Sequence, residues 1–229
     1  MTSMFGLSLE DIQQRSKPIA MKDLPDELES ARNSGKYCMI FDKSGTCSTF
    51  FTYKGTLREF HKSVVAITAN SGTKAEALED LRRGLVESMR NGDTFVIDVG
   101  ELSPDFKSEW QDSETWPMDA ISRQSDWLKP ENHMKIVREE ENVDYLDNPG
   151  GYVLDTDFTL AFLAQYSSDQ KMVDVMNNIP NSDLMHVIII DPTLDVKEEK
   201  KQQYVEDEMD LNVQSIDPFE REHEKARIQ

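Results

Sequence analysis

An α/β fold is predicted, with a mostly parallel sheet of about five strands and helices on both faces. Three observations carry that expectation. Short apolar, β-branched runs at 37–41, 94–100 and 185–191 read as buried strands. Between the first two lies a segment at 73–91 with unmistakable helical periodicity. Strands separated by helical segments build parallel sheets covered on both faces. With 229 residues and 38% hydrophobic content, the chain buries one core and carries tails.

Taken in order, residues 1–35 form a lead-in. Ser8-Leu9-Glu10-Asp11-Ile12 starts a short helix that Pro18 breaks. A second helix begins near Asp23, with Pro25 in its first turn and Gly35 as its stop. Tyr37–Phe41 is the first strand, and a small-residue loop follows it. The stretch 50–69 is ambiguous: Thr56 to Lys62 suits a helix and Ser63 to Thr68 a second buried strand. The helix at 73–91 opens on a capping-box pattern, Thr73 with Glu76. Leu78, Leu81, Leu85 and Met89 line one face, and Asn91-Gly92 closes it. The strand Thr94–Gly100 carries an acid, Asp98, near its end.

From 101 to 151 the periodicity loosens. Trp110, Trp116 and Trp127 lie in an acidic stretch broken by Pro104, Pro117 and Pro130, with helices predicted at Met118–Lys129 and Glu131–Glu141. Phe158, Leu160 and Phe162 alternate, which favours a strand over a helix in 157–166. A short helix at Asp169–Asn177 and a core strand at Met185–Asp191 complete the sheet. Beyond Pro192 the composition turns charged, predicting an exposed helix at Asp195–Asp210 and an acidic, helical or extended arm over 193–229.

Composition narrows the function classes. There are 44 acidic against 25 basic residues, a formal net charge of −19. Such a surface repels phosphate backbones, so no nucleic-acid partner is expected. Two cysteines, Cys38 and Cys47, and an N-terminus without a basic, apolar leader pattern point to a reducing, cytoplasmic setting. No apolar run approaches the eighteen residues that a membrane span needs. The four histidines are scattered, without the spacing of a zinc site. Runs such as Glu139-Glu140-Glu141 read as solvated faces.

The loop after the first strand stands where a phosphate-binding loop would, in the pattern G-x-x-x-x-G-K-[ST]. Laid on it, Asp42 takes the first Gly position, Cys47 the second and Ser48 the Lys; Thr49 matches. Glycines let backbone N–H groups approach phosphate, and the Lys neutralises it. Here a carboxylate stands where phosphate would come close. Gly45, Thr46, Ser48 and Thr49 are the candidate vestigial loop. Asp98 stands in the strand Phe95-Val96-Ile97-Asp98, which resembles a Walker B strand, and would join Thr49 on Mg²⁺ only if Mg-nucleotide binds. Val99, not Glu, follows it.

Over about 36–192 the chain is similar to P-loop NTPases of AAA type, weakly to the nucleotide-poor modules of dynein motors. Asp157-Phe158-Thr159-Leu160-Ala161-Phe162-Leu163-Ala164 and the strand at 185–191 resemble the sensor-one strand and the strand after it. The resemblance implies a P-loop-like domain with a decayed nucleotide site and no resident cofactor. It implies a structural or adaptor subunit of a large assembly, ciliary, axonemal or cytoskeletal. Its partners would be other proteins, met through 193–229 and the Trp110–Trp127 region. The alternative is an ATPase or nucleotide kinase using Mg-ATP through a non-standard loop. A third reading is an unrelated α/β small-molecule binder using the crevice at the carboxyl ends of its strands.

Overall fold

Six strands form one sheet, all parallel, in the computed structural model, which describes residues 6–144, 146 and 148–195. They are β1 (Pro18–Ile19), β2 (Cys38–Asp42), β3 (Thr56–Arg58), β4 (Thr94–Gly100), β5 (Thr159–Gln165) and β6 (His186–Ile190), in the order β1-β6-β2-β5-β4-β3. The longer helices are α1 (Leu9–Arg15), α2 (Leu24–Asn33), α3 (Thr46–Lys54), α4 (Phe60–Thr68), α5 (Lys74–Asn91) and, after three short insert helices, α9 (Asp169–Asn178). The chain divides into two units, 1–191 and 192–229. Of the second, only a helical turn at 192–195 is described; the rest of the arm, including the helix expected to Asp210, lies outside the described residues.

Side-chain alternation sorts the helices. Cys38 and Ile40 of β2, Val96 of β4, Ala161 and Leu163 of β5 and Ile188 of β6 pack with Leu24 and Ala31 of α2 and with Cys47 and Phe51 of α3. Met39, Phe41, Phe95, Ile97, Phe162 and Ile189 point the other way. They meet Ile12 of α1, Phe60 of α4, the Leu78–Leu85 stripe of α5 and Met172 and Met176 of α9. Both faces are therefore covered, as a sheet of near-continuously apolar parallel strands requires.

Three expectations change. The ambiguous stretch resolves in reverse: Thr56–Arg58 is the strand and Phe60–Thr68 the helix. Thr56, Leu57 and Arg58 pair with Phe95, Val96 and Ile97, partners about forty residues away that no local pattern reveals. The β-branched Val64, Val65, Ile67 and Thr68 then serve a crossover helix whose apolar side lies against β4 and α5; packing overrides their propensity. Pro18 does more than end α1. It opens a two-residue edge strand paired to Ile189 and Ile190, a position where a missing N–H is tolerated, and so raises the strands from five to six.

The third change lies in the insert after β4. The helices expected at 118–129 and 131–141 are broken into α6 (Met118–Ile121), α7 (Gln124–Trp127), α8 (Pro130–His133) and a single 3₁₀ turn at Glu139–Glu141. Their job is to bring indoles inward. Trp110, Trp116 and Trp127 are 5%, 0% and 1% exposed. Trp110 stands edge-on to Phe60 at 5.0 Å, and Trp116 edge-on to Phe95 at 6.4 Å. The insert is thus a cap on one face of the sheet, fastened by Arg82 of α5. Arg82 is 2% exposed. It grips Glu141 with two bonds of 2.6 and 2.8 Å, Glu79 with two of 3.0 and 2.9 Å, and the Ile136 carbonyl at 2.8 Å.

This cap is built to loosen in acid. His133 is buried, and its Nδ1–H donates to the Trp127 carbonyl at 3.3 Å. Burial holds its pKa below the ordinary 6.5 despite that bond. The unfolded state therefore binds the proton first, and stability is lost as pH falls below 6.5 toward the folded pKa. Glu79 and Glu141 are held below 4.5 by Arg82, Glu79 chiefly through its side-chain bonds and Glu141 against the opposing cost of burial. Their contribution is full above pH 4.5 and lost below it. The expected result is tryptophan fluorescence that shifts in two acid steps, with His133→Gln removing the upper one. A single step that starts below pH 4.5 in the parent protein contradicts this.

Candidate functional site

The connection leaving β2 runs through α3 on one face of the sheet, whereas that leaving the adjacent β5 runs through α9 on the other. Ligands of open α/β sheets bind outside the carboxyl ends of the strands at such a switch point. Here it holds the turn Asp42–Thr46, Gln165 at the end of β5 and Tyr166 beside it.

The turn is shorter than a phosphate loop. Only Lys43, Ser44 and Gly45 separate β2 from α3. Gly45, the N-cap, has φ +76°, a left-handed conformation that favours glycine; the Gln165 side-chain amide lies close by. The decisive group is Asp42, fully buried. One of its oxygens accepts from Ser44 N–H at 2.8 Å and Ser44 O–H at 2.7 Å; the other accepts from Cys47 N–H at 2.7 Å. The start of a helix favours an anion because its N–H groups are unpaired and its dipole is positive there. In this chain the anion is covalently built in.

Around that turn, Thr46 begins α3 and its hydroxyl shares a 2.7 Å hydrogen bond with that of Ser44. Ser48, at the Lys position of the loop pattern, donates its hydroxyl to the Gly45 carbonyl at 3.1 Å. Thr49 lies on the exposed side of α3. Asp98 is 3% exposed and faces elsewhere: it accepts from Gly100 N–H at 2.8 Å and stands 3.7 Å from His61 Nδ1. Burial lifts the Asp98 carboxyl above the usual carboxylate range, against the pull of the Gly100 N–H and His61. The field here is negative. Burial foremost, and then Asp191, Asp169 and Asp42, push the Tyr166 hydroxyl up. Burial and then Asp42 and Asp98 do the same to the Cys47 thiol, so it is no thiolate nucleophile. Cys38, buried in β2, is pushed up to about 12. Among the described residues, no group of three or more His, Cys, Asp or Glu is arranged to hold a metal ion.

Gln165, Tyr166 and His61 escape a sequence reading. The only local signal is a polar Gln ending an otherwise apolar strand; His61 meets Asp98 from a helix 37 residues earlier. No helix among the described residues is long and apolar enough to cross a membrane.

These features define a parallel α/β domain whose switch-point turn binds the chain's own Asp42 carboxylate to the start of α3. Comparison with protein-family models, with curated proteins and with solved structures finds no match.

Proposed function

We propose that this chain is a non-catalytic, P-loop-like domain with a degenerate nucleotide site, serving as a structural or adaptor subunit of a larger protein assembly. The observation that carries the reading is the Asp42 carboxylate, bound by Cys47 N–H and Ser44 in the place of a phosphate. A nucleotide phosphate would have to displace it in a negative field, with Ser48 standing where the loop pattern has its lysine. The AAA-type resemblance is supported by sheet order: β5, likened to a sensor-one strand, lies between β2 and the Walker B-like β4. By analogy with the dynein-motor modules, the assembly is ciliary, axonemal or cytoskeletal. Partner proteins would meet residues 193–229 and the polar outside of the insert, since its three indoles are used internally.

The test is a melt with and without Mg-ATP. A ligand at 100 times its Kd stabilises by about 2.7 kcal/mol, roughly 5–10 °C for a chain of this size. The expected shift is nil with millimolar Mg-ATP. A clear rise that Thr49→Ala and Asp98→Ala both abolish would overturn the proposal in favour of a nucleotide-using enzyme. Asp42→Ala is expected to cost about 1–3 kcal/mol, because it orphans the Cys47 and Ser44 N–H groups.

A further inference from the structure

A cavity of about 730 Å³ lies between the first half of α5 and two parts of the insert, 111–115 and Arg138. Lys74, Glu76, Glu79 and Arg83 line it from α5, and Asp112 and Arg138 from the insert. Three cations and three carboxylates make this wall neutral, in a chain of formal net charge −19. The two sets are not equally free. Glu76 is tied into the capping box, accepting from the Thr73 N–H at 2.9 Å and its hydroxyl at 2.8 Å. Asp112 accepts from the Thr115 and Glu114 N–H groups at 2.7 and 3.0 Å. Glu79 takes Arg82 on both oxygens, at 2.9 and 3.0 Å, with Arg138 and Arg83 besides. The side-chain bonds of Arg82 foremost, and then the charges of Arg138 and Arg83, hold the Glu79 carboxyl below its usual range. The cations, by contrast, are under-used. Arg83 reaches Glu79 only through Nε, at 3.4 Å, and Arg138 only through one terminal nitrogen. Each guanidinium therefore keeps N–H groups without a partner among the described residues, on side chains that are 65% and 49% exposed. Lys74 adds its charge near Asp112.

A wall with free donors and spent acceptors is completed by an acceptor. A guanidinium presents a planar fork of N–H donors that fits a carboxylate or a phosphate with two parallel bonds. Charge decides between these two. The wall is neutral and the chain around it strongly acidic, so every added negative charge is repelled. A single charge met by two forks is favoured over a phosphate dianion. Between the charged heads the wall is aliphatic, made of Ala75, Leu78 and the stems of Lys74, Arg83 and Arg138. We infer that this cavity binds an organic acid with one carboxylate and an apolar body. The carboxylate meets Arg83 from α5 and Arg138 from the insert, which Glu79 brings together by pairing with both. The body lies along the aliphatic stretch, and the volume falls within the roughly 300–1,000 Å³ of ligand pockets. A ligand so held also ties the insert to α5, beside the Arg82 fastening. No residue of this site belongs to the turn after β2, so its ligand is independent of what that turn binds.

The experiment is an amide-resonance titration of the full chain with hydrocinnamate, with its neutral amide and with phenyl phosphate, at constant ionic strength. Saturable shifts at 74–83, 111–115 and 138 are expected with the acid. The amide should bind about tenfold more weakly or worse, the order of one lost charge-assisted hydrogen bond. Phenyl phosphate should bind no more tightly than the acid. Arg83→Gln is the discriminating variant. Its one contact with Glu79 is at the surface, where ion pairs contribute little, so the melting temperature should hold. Affinity of that variant for the acid should fall about tenfold. Arg83→Lys keeps the charge and removes the fork, and should bind as weakly as Arg83→Gln. Bound acid should also slow proteolytic cleavage within 101–151 in the parent protein and not in Arg83→Gln. No saturable shift with the acid overturns the inference, as does an equal response to acetate or chloride, which marks an adventitious ion only. Undiminished binding by Arg83→Gln, or tighter binding of phenyl phosphate than of the acid, overturns it as well.

Discussion

Arg82→Met is expected to destabilise the protein by about 3–5 kcal/mol, the cost of breaking a buried ion pair by removing one partner. At roughly 2–4 °C per kcal/mol for a chain of this size, that is a fall of about 10 °C in Tm. The size follows from the geometry. Arg82 spends its guanidinium on Glu141, Glu79 and the Ile136 carbonyl, all at 2.6–3.0 Å. Met fills the volume and supplies none of these bonds, so two carboxylates with 19% and 20% exposed side chains lose their cation. Arg138 also reaches Glu79, and Arg90 the Glu141 backbone, so the junction weakens without vanishing. The insert should open first, seen as proteolytic cleavage within 101–151 ahead of global melting. Adding Glu79→Gln and Glu141→Gln to Arg82→Met should recover part of the loss, because what costs most is the unpaired charge left behind. A change below 1 kcal/mol for the single variant would mean that Arg82 is not the fastening.

Trp116→Ala is the second large effect, with about 3–5 kcal/mol expected. The ring is fully buried against Phe95, and its backbone makes a reciprocal pair with Asp112. Trp116→Phe should cost far less, about 1–1.5 kcal/mol, as a hydrophobic exchange of modest volume. Little is lost with the indole N–H, which has no hydrogen-bond partner among the described residues. The pair of variants separates two roles for this tryptophan. An indole used as a docking anchor would leave folding intact on truncation and abolish association. The packing here predicts the opposite order: unfolding in denaturant moves first, and any loss of association follows from it. Unchanged urea midpoints for Trp116→Ala would refute the core assignment.

Both predictions concern residues whose importance is only half legible along the chain. Arg82 reads as one of several charges on the outer faces of an amphipathic helix, and three tryptophans between prolines read as well as surface as core. The partners that decide the matter, Glu141 for Arg82 and Phe95 for Trp116, lie 59 and 21 residues away. Sequence periodicity reports which face of one element is apolar, and it carries no information about what that element meets.

The sequence by itself determined the parallel α/β class, through buried strands alternating with helices. It also determined the helix at 74–91 to within a residue at either end. Its capping box pairs Thr73 with Glu76, and Gly92 at φ +72° supplies the left-handed stop. Those signals act within four residues, so they survive without tertiary context. It determined too that the turn after β2 departs from the phosphate-cradle pattern at both glycine positions, Asp42 and Cys47, and at the lysine position, Ser48. Only the tertiary structure decided that Thr56–Arg58 is a strand and Phe60–Thr68 a helix, because the pairing with β4 and the packing on α5 are long-range. It alone decided that β1 joins the sheet edge, that the indoles face inward, and that Asp42 turns its carboxylate onto the start of α3. The physical reason is common to all of these. Local propensities differ by a kcal/mol or less per residue, whereas burial of a large side chain or satisfaction of a buried polar group is worth several times that and depends on groups that only the fold brings together.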